Sequence, residues 1–325
     1  MKAILRLIAF IFFVFLLGCK ENVKKNSLTK LQGGVFGTTY SIIYNSDINY
    51  QSSIDSLFAE VNQSLSTYIP NSDISKINKG DTTIVVDDMF VEVFEKAKRI
   101  YIETDGYFDP TIGRLINAYG FGSGEEKKNL TPEEISSLMQ NVGFDKVTLR
   151  DRKVFKDSDN IEFNVNAFAK GYGVDMVGRF LESKNIFDYL VEIGGEIRAR
   201  GTKNGKLWKV AIEKPNVDGT RSIQKVIELN NESMATSGNY RKYKLNDQGK
   251  KIVHTVNPKT GLAQESNLLS VSVRLKGDCA DVDAYATAFL AMGLERTKEF
   301  LSKHPELKVV LLFNNEANEL VEFTN

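Results

Sequence analysis

His-Thr-Val-Asn-Pro-Lys-Thr-Gly, residues 254–261, opens on one of only two histidines in the chain. Downstream stands Asp-Val-Asp-Ala-Tyr-Ala-Thr-Ala-Phe, residues 281–289, and upstream Asn-Val-Asn-Ala-Phe-Ala-Lys-Gly, residues 164–171. Between them these runs hold a titratable base, hard oxygen ligands and a cationic amine, a combination suited to attack on a phosphate anhydride. Each run alone has a plainer interpretation, so the order and joint presence of all three have to be explained together.

Asp283 and Thr287 are spaced i, i+4, which on a helix puts both on one face. A carboxylate and a hydroxyl suit Mg²⁺, which takes few protein ligands and completes its shell with water and phosphate. On spacing alone the more ordinary reading is that Asp283 caps a helix over Ala284–Leu301 and Thr287 is merely packed. Lys170 stands beside Gly171 at the start of a helix expected over Ala167–Leu181, where amide dipoles and an ammonium both favour an anion. Read by itself, Lys170 is a solvated surface lysine. His254 fits a base near neutral pH. A lone histidine is more often a hydrogen-bonded structural residue, and His304 has the setting of a surface residue. Gly106–Gly113 joins Tyr107 and Phe108 to Asp109 at a loop, where flat heteroaromatic rings can stack. Leu190–Glu196 places paired glycines inside a strand pattern, and Met234–Tyr240 reads as a small polar loop.

The remaining chain is mixed α and β without regular alternation. Ile54, Leu57, Phe58, Val61 and Leu65 have helical spacing, as do Phe90, Val93, Phe94, Ala97 and Ile100. Thr131-Pro132-Glu133-Glu134 is a capping box with proline at the first helical position, opening a helix that ends near Gly143. Strands are expected at Lys146–Leu149, Lys153–Phe155, Tyr189–Ala199, Trp208–Ile212, Val226–Leu229, Leu268–Leu275 and Lys308–Phe313, with a hairpin turn at Asn246–Gly249. The pattern predicts an α+β fold, helices packed on largely antiparallel sheet. No GxGxxG follows the first strand and no Walker loop is present, which argues against Rossmann and P-loop folds.

Gross features bound the function. Lys2 and Arg6 precede an unbroken apolar run, Leu7–Leu17. A membrane-spanning helix needs about 20 such residues, so the run fits a signal peptide over 1–18. Leu-Leu-Gly-Cys, residues 16–19, resembles a bacterial lipobox in which Cys19 is acylated. A polar tether is expected over 19–32 and one domain over 33–325. The only other cysteine is Cys279, and no Cys/His cluster points to structural zinc. After loss of Lys2 and Arg6, 40 basic residues face 42 acidic ones. That balance offers no basic field for nucleic acid.

In this order the runs closely resemble the ApbE family of FAD:protein FMN transferases. The likeness extends to Phe36–Tyr40, Leu65–Tyr68 with Ser72–Ser75, Tyr107–Gly113, Ile193–Gly195 and Thr236–Gly238. It implies an ApbE-like, T-fold-related α+β fold, FAD as substrate and Mg²⁺ as cofactor. By position, the Ala167 carbonyl, Asp283 and Thr287 match the family's metal ligands. Phe36, Tyr68, Tyr107, Phe108, Asp109, Asn164, Lys170 and Val256 match its FAD contacts, and His254 begins the motif tied to transfer. Phe36 stands where the family often has methionine, and Asn164 where it commonly has aspartate. The implied reaction moves FMN to a threonine or serine of an extracytoplasmic partner protein, such as a redox-pump subunit, from a lipid-anchored enzyme facing the periplasm or cell exterior. Two alternatives stay open on sequence: a Mg²⁺-dependent FAD pyrophosphatase giving FMN and AMP, and an FAD-binding lipoprotein without turnover.

Overall fold

The computed structural model describes residues 27–325 except 128, 217, 219, 241, 250 and 264. Cys19 and the expected signal peptide lie outside the described residues. In chain order the elements are β1 (Leu28–Val35), β2 (Thr38–Asn45), α1 (Gln51–Leu65), α2 (Asp73–Asn78), α3 (Asp88–Glu103), α4 (Gly113–Ala118), α5 (Pro132–Met139), β3 (Val147–Arg150), β4 (Lys153–Lys156) and α6 (Ala169–Ser183). There follow β5 (Tyr189–Ile193), β6 (Glu196–Arg200), β7 (Trp208–Glu213), β8 (Ile223–Leu229), β9 (Glu232–Gly238), β10 (Tyr243–Leu245), β11 (Lys251–Val253), β12 (Leu268–Leu275), α7 (Cys279–Met292), α8 (Leu294–Lys303), β13 (Lys308–Asn314) and β14 (Leu320–Thr324).

An eight-stranded sheet, ordered β1-β2-β5-β6-β9-β12-β13-β14, forms the frame. Every neighbouring pair in it is antiparallel. Helices cover one face. On α1 the apolar stripe buries Ile54, Phe58, Val61 and Leu65, and on α3 it buries Phe90, Val93, Phe94, Ala97 and Ile100. Asp87 caps α3 by accepting from Phe90 N–H, and the Thr131–Glu134 capping box opens α5. α7 is buried nearly all round, Val282, Ala284, Ala286, Ala288 and Phe289 included. It is the central helix, and its small residues let the sheet and α6 close on it. On the other face the β7–β8 hairpin brings Trp208, Val210 and Ile212 against Ile197, Met234 and Leu312 in a second core.

Several expectations need correction. The stretch 19–32 was expected to be a tether, yet β1 begins at Leu28 and pairs with β2 along its length. Its polar composition is that of an edge strand on which only Leu31 is buried. The single helix expected over Ala284–Leu301 is two, because Gly293 takes φ +79°. α7 also starts four residues before Asp283, which is therefore inside the helix and not its cap. The strand expected over Tyr189–Ala199 folds back at Gly194–Gly195 into β5 and β6. Met234–Tyr240, read as a loop, is mostly β9: Thr236, Ser237 and Gly238 line the cavity, while Met234 packs in the second core and Ala235 in the first.

Candidate active site

α6 and α7 run side by side and bring two of the three motif runs together. Asp283 on α7 is buried, and its Oδ2 accepts from the Gly171 backbone N–H of α6 at 3.1 Å. The Thr287 hydroxyl, one turn further on, lies 3.4 Å from the Ala167 carbonyl oxygen, just before α6 begins. Lys170 completes the floor: Nζ is 2.8 Å from Glu196 Oε1 and 3.7 Å from Asp283 Oδ2. Burial raises the pKa of Asp283 to about 7, an effect that Lys170 partly offsets. Burial works against the Lys170 ammonium too, but the charges of Asp283 and Glu196 outweigh it and hold its pKa above the ordinary lysine value.

Glu196 went unassigned in the sequence, although it ends the quoted run 190–196. It is 3% exposed and its Oε2 has no hydrogen-bond partner. A buried carboxylate oxygen left open costs free energy unless a ligand or ion comes to it. The oxygen set at this floor, one carboxylate, one hydroxyl and one carbonyl beside a second carboxylate, fits a hard cation that keeps part of its water shell. Among the described residues no group of three or more His, Cys, Asp or Glu side chains forms a metal cage.

Above this floor opens a cavity of about 400 Å³. One wall is the segment 107–112 that follows α3. Asp109 Oδ1 accepts from the Thr111 amide at 2.8 Å and hydroxyl at 2.6 Å, and burial lifts its carboxyl to a pKa of about 6. The Tyr107 ring is flanked by Arg296, 4.9 Å from its centroid. Phe108 reaches the cavity but is buried edge-on against Phe168, so it closes the wall more than it offers a free face. The opposite wall is β9 at Thr236–Gly238 with the β5–β6 turn at Gly194. Tyr68 overhangs the mouth at 58% exposure.

Asn164 is buried in the wall. Its Oδ1 accepts from Asn166 N–H at 2.9 Å, and its own N–H donates to Pro110 O at 2.7 Å. Asn166, also missed in the sequence, donates from Nδ2 to Thr67 Oγ1 at 3.0 Å and so ties this wall to the Tyr68 loop. Val256 is buried and lines the mouth beside His254. Phe36 is the expected site residue that the cavity does not include. It forms the β1–β2 turn at φ +50°, its ring packs edge-on to Phe58, and it lies over Gly173 of α6.

His254 follows β11 and faces the cavity, with Phe121 edge-on at 6.3 Å. Its Nδ1 is 3.2 Å from the Lys242 carbonyl oxygen. A carbonyl only accepts, so Nδ1 carries the proton and the Nε2 lone pair is left free. Burial, then the charge of Lys242, pushes its pKa down to about 4. The imidazole is therefore neutral at pH 7 and able to take a proton.

With this geometry in place, similarity to known proteins decides the family. A model described as the ApbE family matches residues 36–311. The chain belongs to the ApbE family. Among ApbE relatives, an FAD:protein FMN transferase of Haemophilus influenzae is 34% identical over 97% of this chain and 94% of that protein. Another of that name, from Vibrio cholerae, is 36% identical over 89% of this chain and 88% of that protein. The solved flavin transferase ApbE from Vibrio cholerae superposes with a TM-score of 0.82 at 32% identity, covering 92% of this chain and 97% of that one. The apo flavinyl transferase ApbE of Pseudomonas stutzeri superposes with a TM-score of 0.81 at 26% identity, covering 94% and 96%. The expected α+β class, helices on an antiparallel sheet, is thus the ApbE architecture.

Proposed function

We infer that this chain is an enzyme that transfers FMN from FAD to a protein, and we propose that the acceptor group is a threonine or serine hydroxyl. The observation that carries the reading is the convergence of all three motif runs on one cavity, with hard oxygens and Lys170 at its floor and a free imidazole lone pair at its mouth. The transferase names of relatives aligned over nearly the whole chain support it.

In the proposed reaction the acceptor hydroxyl oxygen attacks the phosphorus on the riboflavin side of the pyrophosphate. A new P–O bond forms, the bond to the bridging oxygen breaks, and AMP leaves with that oxygen. Nε2 of His254 takes the hydroxyl proton. Lys170 offers its ammonium to the pyrophosphate, and Tyr68 and Tyr107 offer faces to the flat rings of FAD. Asp283, Thr287 and the Ala167 carbonyl would hold Mg²⁺, which supplies charge neutralisation at the pyrophosphate when bound.

Incubating the purified protein with FAD, Mg²⁺ and a threonine-containing acceptor peptide, then weighing the peptide, tests this. A gain equal to FMN less water, with AMP released, is expected. FMN free in solution with an unchanged peptide would point to the pyrophosphatase, and FAD recovered intact to a binding protein. We further propose that Cys19 is acylated and anchors the enzyme at the outer face of a bacterial membrane, where an extracytoplasmic redox subunit would be its partner. Among the described residues no helix is long and apolar enough to cross a membrane. Mass spectrometry of the mature N-terminus should find a lipid-modified cysteine; an unmodified Cys19 would sink the proposal.

A further inference from the structure

We infer that Asp175 is a positioning residue for the cavity floor, acting as the N-terminal cap of α7 from the neighbouring helix α6. The first turn of any helix leaves backbone N–H groups without intrahelical partners. At α7 the preceding residue, Asp278, is of a type well suited to accept them. Its side chain makes no such bond. It is turned outward to Lys96 at 2.7 Å, Arg179 at 2.8 Å and Arg198 at 2.9 Å. The Cys279 N–H donates instead to Asp175 Oδ1 at 2.8 Å, and the Ala280 N–H to Asp175 Oδ2 at 2.9 Å. Arg198 Nη1 holds Asp175 Oδ1 at 2.7 Å.

The bond from Gly171 N–H to Asp283 forms a second rung of the same ladder. On α6 the two rungs leave from residues 171 and 175; on α7 they arrive at 283 and 279. Both steps are one helical turn, about 6 Å of rise, and they run in opposite chain directions. The two helices are thus pinned in one antiparallel register at two points. A Cβ at Gly171 would lie 2.6 Å from the Cys279 carbonyl oxygen, so only glycine permits this approach. The register determines where the α7 groups, Asp283 and Thr287, lie relative to the α6 groups, Ala167 and Lys170. A slip of even a fraction of a turn would part the Thr287 hydroxyl from the Ala167 carbonyl.

Stability alone does not explain a carboxylate here. Asp175 is fully buried and paired with a guanidinium, and apolar replacement of such pairs is often neutral or stabilising. What an apolar pair lacks is two acceptors aimed at two particular backbone donors. In Asp175→Asn one acceptor becomes a donor and faces an N–H or Arg198, so one rung loosens while the side-chain volume is kept.

The inference rests on the Mg²⁺ assignment proposed above, and the test separates the two. Mg²⁺ affinity of the FAD-loaded protein is measured by calorimetry for the parent, Asp175→Asn and Asp283→Ala, with FAD affinity measured in EDTA. Groups that orient metal ligands typically matter about 10–100-fold in metal affinity. Asp175→Asn should therefore weaken Mg²⁺ binding about tenfold or more with parental FAD affinity in EDTA. A folded Asp175→Asn protein with a lower melting temperature but parental Mg²⁺ affinity would overturn the inference, because a purely structural cap does exactly that much and no more. If Asp283→Ala also binds Mg²⁺ like the parent, the metal assignment itself fails. Should Asp175→Asn not fold, Arg198→Lys carries the test: it keeps the charge, removes the fork shared by Asp175 and Asp278, and should weaken Mg²⁺ binding, whereas parental affinity in it refutes the positioning role.

Discussion

The floor and the mouth of the cavity are held in different ways. At the floor, Lys170, Asp283 and Thr287 each contact a group on another element, and two buried helices fix their spacing. At the mouth, Tyr68 projects from a loop with most of its ring in solvent, and His254 follows a three-residue strand with one backbone oxygen as its hydrogen-bond partner. A cation and a pyrophosphate need fixed charges at fixed distances. An incoming protein side chain needs an approach. Substitutions at the floor should therefore break chemistry outright, and substitutions at the mouth should divide into those that slow transfer and those that only loosen FAD.

Asp283→Ala is expected to have the largest effect. It removes the carboxylate of the oxygen set and leaves Lys170 with one counter-charge fewer. Several kcal/mol of barrier are at stake, on the order of 10⁴-fold or more in rate. Transfer to an acceptor peptide, followed over a Mg²⁺ series, checks this: an unchanged Mg²⁺ dependence would refute the assignment.

His254→Ala is the matching break at the mouth. Loss of a general base is worth about 10³-fold, and FAD affinity should hold because the proposed pyrophosphate contacts lie at the floor. The comparison requires single-turnover rates at saturating FAD; a near-parental rate in the folded variant excludes the base. The parental pH profile sharpens the test. A base whose pKa is pushed down to about 4 loses its proton well below neutrality. The kcat/KM limb for the free enzyme should then rise through about pH 4 and be flat through pH 7. A limb at histidine's ordinary value near 6.5 would mean that the half-buried imidazole is more fully solvated than its setting beside Lys242 implies.

The same division explains what the sequence made legible. At the floor, helix geometry turns spacing into a face, Asp283 with Thr287 and Lys170 beside Gly171, although on spacing alone each had a plainer interpretation and only the three runs together favoured a site. The mouth residues Tyr68 and Val256 stand in loops, where spacing says nothing about direction, and only resemblance to the family brought them forward; Tyr107 was legible as a loop aromatic beside Asp109. Asp283 was open to reading as a cap because several aspartates, Asp278, Asp281 and Asp283, crowd the start of α7 and suit a cap by type; the side chain that caps it is Asp175, far upstream in the chain. Glu196 was hidden because alternation along β6 tells which face a residue takes and not that Lys170 waits there. Phe36 matched a family position, yet here its ring packs on Phe58, outside the cavity. The edge strand β1 was mistaken for tether for a related reason: an exposed strand and a solvated linker have the same composition.

Tyr68→Ala tests the mouth without touching the chemistry. An exposed ring that stacks on a flat ligand contributes roughly 0.5–1.5 kcal/mol. FAD should bind a few-fold to about tenfold more weakly. The transfer rate at saturating FAD should stay near the parent's. Fluorescence titration with FAD reads the first, and a single-turnover assay the second. A large loss of rate at saturation would place Tyr68 with His254 and not with the binding surface.

The smallest effect is expected at Asn164, where the family commonly has aspartate. What the structure asks of this side chain is one acceptor for the Asn166 N–H, which in turn leaves Asn166 free to hold Thr67 next to Tyr68. A carboxylate supplies that acceptor as well as an amide does. Its stronger, charge-assisted bond is offset by the cost of taking the charge into a buried wall. Asn164→Asp should therefore keep FAD affinity within about threefold of the parent, well under the 1.4 kcal/mol that marks a tenfold change. Asn164→Ala is different, because it strands the part-buried Asn166 N–H, at about 1 kcal/mol, and slackens the Tyr68 loop. FAD titrations of the two variants side by side decide whether the position needs an acceptor or a charge. If Asp and Asn bind alike and Ala binds worse, the acceptor is what counts; a tenfold gain in the Asp variant would show that the charge lost from this chain has a use at the cavity wall.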